Sequence, residues 1–244
     1  MQTITIATGN PGKVAEIRAI MARLGIEVVG LADLGLSVEE PTETGTSFEA
    51  NARIKAVAYA RATGTTCLAD DSGLVVDALG GAPGVISSHY STDGRPDDRP
   101  RAERDRANNQ RLLEALAGVP EARRSARFVC VMVLADPAGR VLATTQGTLE
   151  GRIAHAPIGT GGFGYDPLFL VAPDHRRTSA QLSRGREERH QPSRPRRRGH
   201  GPRHRPAGRP AVLLSAHSIR RPASPCPNRR SRRYHRLAGP WRNR

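Results

Sequence analysis

Thr65-Thr66-Cys67-Leu68-Ala69-Asp70-Asp71-Ser72-Gly73-Leu74-Val75-Val76 sets two adjacent carboxylates in the middle of a β-prone run. Side chains alternate between faces along a strand, so two neighbouring Asp cannot both hide in a core. At least one must face water, a cation or a partner. Ser72-Gly73 is expected to turn the backbone sharply after the pair, and Ala78-Leu79-Gly80-Gly81-Ala82-Pro83-Gly84 follows as a Gly-rich turn. Two readings stay open on these residues alone. The pair caps an Asx-type turn with its own side chains, or it is the acidic centre of a site.

Upstream, residues 3–8 alternate as a strand and run into Gly9-Asn10-Pro11-Gly12-Lys13. Val14, Ile17, Ile20, Met21 and Leu24 then recur at helical spacing. A Gly-containing loop that opens a helix offers free N–H groups and a positive dipole end, which suits an anion, and Lys13 adds a point charge. The pattern matches neither the Rossmann nor the Walker motif. Residues 27–31 form a second strand, and residues 38–45 an acidic loop containing Glu43. Thr46 or Ser47 caps a helix over residues 48–57. Asn51 and Lys55, four residues apart, share one face of it. Lys13 and Lys55 are the only two lysines, against 36 arginines, which marks both as places where a compact charge is wanted.

Downstream, residues 91–107 are charged and lead into a helix continued by Asn109, Leu112, Leu113 and Leu116. Residues 126–135 are a strongly apolar central strand, with residues 141–149 as hairpin partner across Asp136-Pro137-Ala138-Gly139. A β-α-β-α opening followed by a hairpin gives the fold class: an α/β protein with a sheet of mixed strand directions. The last landmark is Gly159-Thr160-Gly161-Gly162-Phe163-Gly164-Tyr165-Asp166-Pro167. Phe163 and Tyr165 can stack on a flat base and Asp166 can accept from a base N–H; alternatively the stretch is an aromatic turn packed on the core.

Charge divides the chain in two. Residues 1–183 hold 19 Lys and Arg against 21 Asp and Glu, a net charge of −2. Residues 184–244 hold 19 Arg, no Lys and two Glu, a net charge of +17, with nine of the 19 Pro. The tail's one sizeable apolar run, Ala211-Val212-Leu213-Leu214, cannot bury a core. Cys67, Cys130 and Cys226 are too few and scattered for a disulfide framework or zinc site. A strand-like start and the lack of a long apolar run lead us to expect a cytoplasmic protein with no membrane partner.

Taken in order, these stretches resemble the non-canonical purine nucleoside triphosphate pyrophosphatases, the XTP/dITP diphosphatase or ITPase family. The matching residues are Thr8-Gly9-Asn10 with Lys13 and Glu16; Glu43-Thr44-Gly45 with Phe48, Asn51, Ala52 and Lys55; Ala69-Asp70-Asp71-Ser72-Gly73-Leu74; Leu79-Gly80-Gly81-Ala82-Pro83-Gly84; Gly147; Glu150-Gly151; and Gly162-Phe163-Gly164-Tyr165-Asp166-Pro167. The resemblance implies hydrolysis of dITP, ITP or XTP to the monophosphate and pyrophosphate. It also implies an elongated mixed sheet flanked by helices, a central substrate cleft, a homodimer and Mg²⁺ as cofactor. By residue, Glu43 and Asp71 are implied as Mg²⁺ ligands, with Asp71 also the base that deprotonates the attacking water. The loop Thr8, Gly9, Asn10, Pro11, Gly12 and Lys13, together with Lys55, would hold the triphosphate. Ser72 would sit beside the base, with Phe163 stacking on it, Asp166 reading its edge, and Gly164 and Tyr165 completing that loop.

The match breaks after Ser183. Family members continue into a helix carrying E-K-N-A-I-S-H-R-G-R-A, whose Lys and His-Arg pair contact the substrate; here the chain reads Arg186-Glu187-Glu188-Arg189-His190-Gln191-Pro192-Ser193-Arg194-Pro195-Arg196. Back-translated and read from the second base of each codon, these 11 residues permit the family sequence at every position. From about residue 184 the chain therefore reads as an out-of-frame translation. The expected domain is 1–183, followed by a disordered Arg/Pro-rich tail at 184–244. Such a tail binds nucleic acid only nonspecifically and salt-sensitively. A competing reading, a basic nucleic-acid-binding protein on an inactive scaffold, requires the tail to bind with sequence preference. In the body, Ile86-Ser87-Ser88-His89-Tyr90 also replaces the family's Y-S-A-R-Y.

Overall fold

The computed structural model describes residues 3–8, 11–36 and 38–182, so Gly9, Asn10 and the proposed out-of-frame tail lie outside the described residues. Its centre is β3 (Cys67–Val76), a strand of ten residues. On one side β3 pairs in parallel with β1 (Thr3–Ile6), which pairs in parallel with β2 (Glu27–Gly30). On the other side it pairs antiparallel with β4 (Ser125–Ala135), followed by antiparallel β5 (Val141–Ile153) and β6 (Phe169–Val171). The order β2-β1-β3-β4-β5-β6 is the mixed sheet expected from a βαβ half joined to a hairpin half.

Two expectations need correction. Ser72-Gly73 does not turn the backbone, because β3 runs unbroken through both residues and pairs with β4 from Cys67 to Val76. Gly73 is small for another reason. A Cβ there would collide with Ser87 Oγ and approach Gly84 O to 2.7 Å and Phe48 Cε1 to 2.9 Å. Glycine thus admits the 3-10 segment Gly84–Thr92 against the strand. The sixth strand, β6, was not expected; three residues are too few to show a period.

Among the described residues, three α-helices flank the sheet. α1 (Pro11–Met21) and α2 (Phe48–Thr63) are the crossovers between parallel strands, and α3 (Arg101–Ala115) precedes β4. Ser47 is the N-cap of α2, its hydroxyl accepting from Ala50 N at 3.2 Å. Ala52, Ala56 and Ala60 are fully buried. Their spacing lets α2 close onto β3 and β4 with Cys67, Ala69, Val131 and Val133. The opposite face of the βαβ half holds Ile4, Ile6, Ile17, Val28 and Leu68. The hairpin half has its own cluster of Leu74, Val76, Leu112, Leu116, Phe169 and Tyr165. Burying each such Leu or Phe stabilises by about 1.5–3 kcal/mol. No helix among the described residues is long and apolar enough to cross a membrane.

Candidate active site

Past Leu68, β3 loses its β1 neighbour and, among the described residues, is paired on one side only, with β4, until Val75 bridges to Pro83. Asp70, Asp71 and Ser72 fall in that gap, at the carboxyl end of β1 where α1 begins. One crossover helix leaves on each face of the sheet here. That is the position at which open α/β sheets leave a crevice for ligands.

Strand alternation sends the two carboxylates to opposite faces. Asp71 faces α2, where its Oδ1 accepts from Lys55 Nζ at 3.1 Å. The same ammonium donates to Glu43 Oε1 at 3.0 Å. Asp71 Oδ2 is buried with no hydrogen-bond partner among the described residues, an expensive state for a carboxylate oxygen. Burial pushes the Asp71 pKa up and Glu43 adds to the rise, while Lys55 and the Asn51 side chain only partly oppose it. Burial pulls Lys55 down, but Asp71 and Glu43 together hold its pKa above the ordinary lysine value. The loop carrying Glu43 is fixed at Gly45, whose N–H donates to Asn51 Oδ1 at 2.8 Å. A Cβ on Gly45 would approach that oxygen to 2.5 Å.

Asp70 faces α1 and takes Lys13 Nζ at 2.5 Å. Ser72, on the same face, donates to Asp70 Oδ2 at 3.3 Å and lies 3.5 Å from Lys13 Nζ. Cys130 Sγ is 4.0 Å from Asp70 Oδ2, and its thiol is pushed up to about 11, first by burial and then by that carboxylate. It is protonated at neutral pH and not a nucleophile.

Glu43 and Asp71 are hard oxygen donors held by a single ammonium, and Asp71 Oδ2 accepts no hydrogen bond of good geometry from the described residues. That set suits Mg²⁺, which takes one or two carboxylates and completes its shell with water and substrate phosphate. No group of three or more His, Cys, Asp or Glu among the described residues forms a ready-made metal site.

The aromatic loop joins both readings left open by the sequence. Tyr165 packs in the core, its ring buried and its hydroxyl donating to Ser87 O at 2.8 Å. The expectation that Tyr165 stacks on a base is therefore corrected: its ring anchors the loop. Phe163 is 56% exposed, with the Arg101 guanidinium over its ring at 4.5 Å. Asp166 Oδ2 accepts from Phe163 N at 2.9 Å. It thereby closes the turn at Gly162, where φ is +75° and a Cβ would strike that carboxylate. Burial raises the Asp166 pKa, and the Phe163 N–H opposes the rise.

The sequence reading missed how α3 holds this loop. Gly164 N donates to Asp105 Oδ2 at 2.9 Å, and Asn109 Nδ2 donates to Gly164 O at 2.8 Å. Arg101, Asp105 and Asn109 share one face of α3, but charges on the neighbouring faces leave that face unmarked in the sequence. Of the triphosphate loop, Thr8 lies just past β1, Pro11 and Gly12 open α1, and Lys13 pairs with Asp70.

The sequence model of the Ham1 family matches residues 4–196. A "dITP/XTP pyrophosphatase" of Nitratidesulfovibrio vulgaris is 52% identical over 182 residues, which is 75% of this chain and 86% of the relative. One from an Exiguobacterium species is 49% identical over 181 residues, 74% of this chain and 86% of the relative. Among solved structures, a HAM1 protein from Coxiella burnetii superposes with a TM-score of 0.65 at 38% identity, covering 77% of this chain and 90% of that one. A nucleoside-triphosphatase/dITP/XTP pyrophosphatase from Mycobacterium abscessus gives 0.62 at 41% identity, covering 77% and 92%. A mixed sheet with a carboxylate–lysine centre at its open strand thus meets sequence identity over most of the described residues, and the chain belongs to the Ham1 family.

Proposed function

We propose that this chain hydrolyses non-canonical purine nucleoside triphosphates, of the dITP, ITP and XTP type, to the monophosphate and pyrophosphate in an Mg²⁺-dependent reaction. The observation that carries the reading is Asp71. One oxygen is fixed on Lys55, and the other is buried, unpartnered and placed at the open edge of β3. The names of the 44–52% identical relatives support the substrate class.

The first task is to neutralise a triphosphate. Lys13 and Lys55 stand on either side of the strand edge, each held against a carboxylate that releases it when phosphate oxygens arrive. The amino end of α1 adds N–H groups and dipole to Lys13. Mg²⁺ held by Glu43 and Asp71 would supply further charge neutralisation at the phosphates. Asp71 Oδ2 orients the attacking water and accepts its proton as the new oxygen–phosphorus bond forms. The bridging oxygen–phosphorus bond breaks, and pyrophosphate leaves with the bonding pair. Before phosphate arrives, Lys55 favours the ionised form of Asp71 and partly offsets its burial. Phe163 stacks on the purine, Asp166 orders that loop and lies where it can meet the purine edge, and Ser72 lies beside the base.

The reading extends to a homodimer working in the cytoplasm, as the family resemblance carries. It also takes residues 1–183 as the catalytic domain and the remainder as out-of-frame. Without the Lys and His-Arg of the family's last helix, turnover and base discrimination are reduced. The nucleic-acid-binding alternative is not favoured. The body is net negative, and Arg18, Arg99, Arg111, Arg127 and Arg140 are paired with carboxylates.

The test is to incubate the full chain with dITP and Mg²⁺ and identify the products. Release of dIMP and pyrophosphate, abolished by chelator and slower with dGTP, is expected. Orthophosphate release, or no turnover of dITP, ITP or XTP, overturns the reading.

A further inference from the structure

Arg101, Asp105 and Asn109 are spaced four residues apart and share one face of α3. All three engage the 162–166 loop. The Arg101 guanidinium lies 4.5 Å from the Phe163 ring centroid. Asp105 Oδ2 accepts from Gly164 N, and Asn109 Nδ2 donates to both Gly164 O and Asp105 O. Both of the latter oxygens are acceptors, so the Asn109 amide has only one workable orientation. Gly164 is gripped through its N–H and its C=O by one helix.

Arg101 is placed against its local preference. It is the first residue of α3, where the helix dipole disfavours a cation. Its compensation along the helix is slight: Arg101 Nε is 3.9 Å from Asp105 Oδ2, and the Arg101 side chain is 55% exposed. A residue that breaks a local rule marks a place where something besides folding is served. Here the gain is a guanidinium over one face of Phe163, an aromatic side chain that stays 56% exposed on a surface loop.

We propose that Arg101 is a positioning and specificity-determining residue. It covers one face of Phe163 and, with Asp105 and Asn109 fixing Gly164, presents the other face as a preformed stacking platform for the purine. A ring held by a guanidinium loses its rotamer freedom before the base arrives, so less ordering is left to be done on binding. This rests on the purine triphosphate reading. It adds that base recognition is built partly by α3, far in sequence from the carboxylate centre.

Steady-state kinetics on the full chain test it, with dITP as substrate and inorganic tripolyphosphate as a base-free inhibitor. R101A is expected to raise KM for dITP about two- to fivefold, to leave kcat unchanged, and to leave the tripolyphosphate inhibition constant unchanged. R101K, which keeps the charge but loses the planar fork, should recover part of the loss. F163A should raise KM for dITP by about fivefold or more. The proposal is overturned if R101A leaves KM for dITP at the parental value while F163A raises it, a result that leaves the proposed function standing. It is also overturned if R101A weakens tripolyphosphate inhibition, since Arg101 would then be a phosphate ligand. A parent chain that does not turn over dITP overturns both readings.

Discussion

Asp71 presents two oxygens in opposite situations. Oδ1 has an ammonium 3.1 Å away, and Oδ2 is buried with no partner. A folded protein tolerates an orphaned acceptor when function needs it. The linkage sign follows from the raised pKa. Burial penalises ionised Asp71 in the folded state, so its favourable contribution is complete below the ordinary carboxylate range and is lost as pH rises through the folded pKa. D71N cannot ionise and escapes that loss. Without Mg²⁺, D71N should therefore melt higher than the parent at neutral pH, with the gap closing as pH falls below about 4. The same variant should lose at least about a hundredfold in kcat. Thermal melts from pH 4 to 8 in chelator, beside dITP turnover in Mg²⁺, check both halves. A lower melting temperature at pH 7 would mean that Lys55 depends on Asp71 more than Asp71 suffers from burial. At this scale Lys13 and Lys55 stand out as the chain's two lysines and Asp70-Asp71 as adjacent charges in a β-prone run, whereas Glu43, in an acidic loop, is marked only by the family resemblance. The place of Tyr165 was not legible. An aromatic in a Gly-rich loop reads alike whether its ring points at a ligand or at Ser87 O, and only packing separates the two.

β3 shows why an element can be found while its course is misread. Ser-Gly after an acidic pair carries the local chemistry of a turn. What fixes Gly73 is the approach of Gly84 O, Ser87 and Phe48 from residues distant in the chain. Ser87 seals that contact, accepting from Leu74 N at 2.9 Å and donating to Gly84 O at 2.6 Å. G73A would force the Gly84–Thr92 segment off the strand and should destabilise by about 1–3 kcal/mol, as overpacked sites do. Urea unfolding of G73A against the parent reads that cost. A neutral outcome would show that the segment yields freely, and Gly73 would then owe its place to something other than close approach. The long elements, α2, β4 and the hairpin, were legible because eight or more residues of period outweigh local noise. The α3 stripe was hidden for the converse reason. Arg101-Ala102-Glu103-Arg104-Asp105-Arg106 is charged on every helical face, so no face stands out as the one turned to the aromatic loop.

Across the whole molecule, the charge balance reverses close to the end of the described residues. The family match runs to residue 196, whereas the net charge changes from −2 for residues 1–183 to +17 beyond. In the proposed function, base recognition rests on Phe163, Asp166 and the α3 face, and the proposed change of frame takes away the contribution of the family's E-K-N-A-I-S-H-R-G-R-A segment. If that is the only defect, supplying the segment should restore function without touching the carboxylate centre. Replacing residues 186–196 by those 11 residues and continuing in the recovered frame should raise kcat/KM for dITP. It should also widen the preference for dITP over dGTP by about tenfold or more, the scale on which a site that hydrogen-bonds a base atom rejects its isostere. D71N in the repaired chain should remain inactive, because the base that accepts the proton lies outside the repaired segment. Competition assays with dITP and dGTP, run on the parent and repaired chains side by side, read the ratio directly. Equal discrimination by the two would show that the 162–166 loop and α3 suffice for base reading, and that residues beyond 183 were never needed for it.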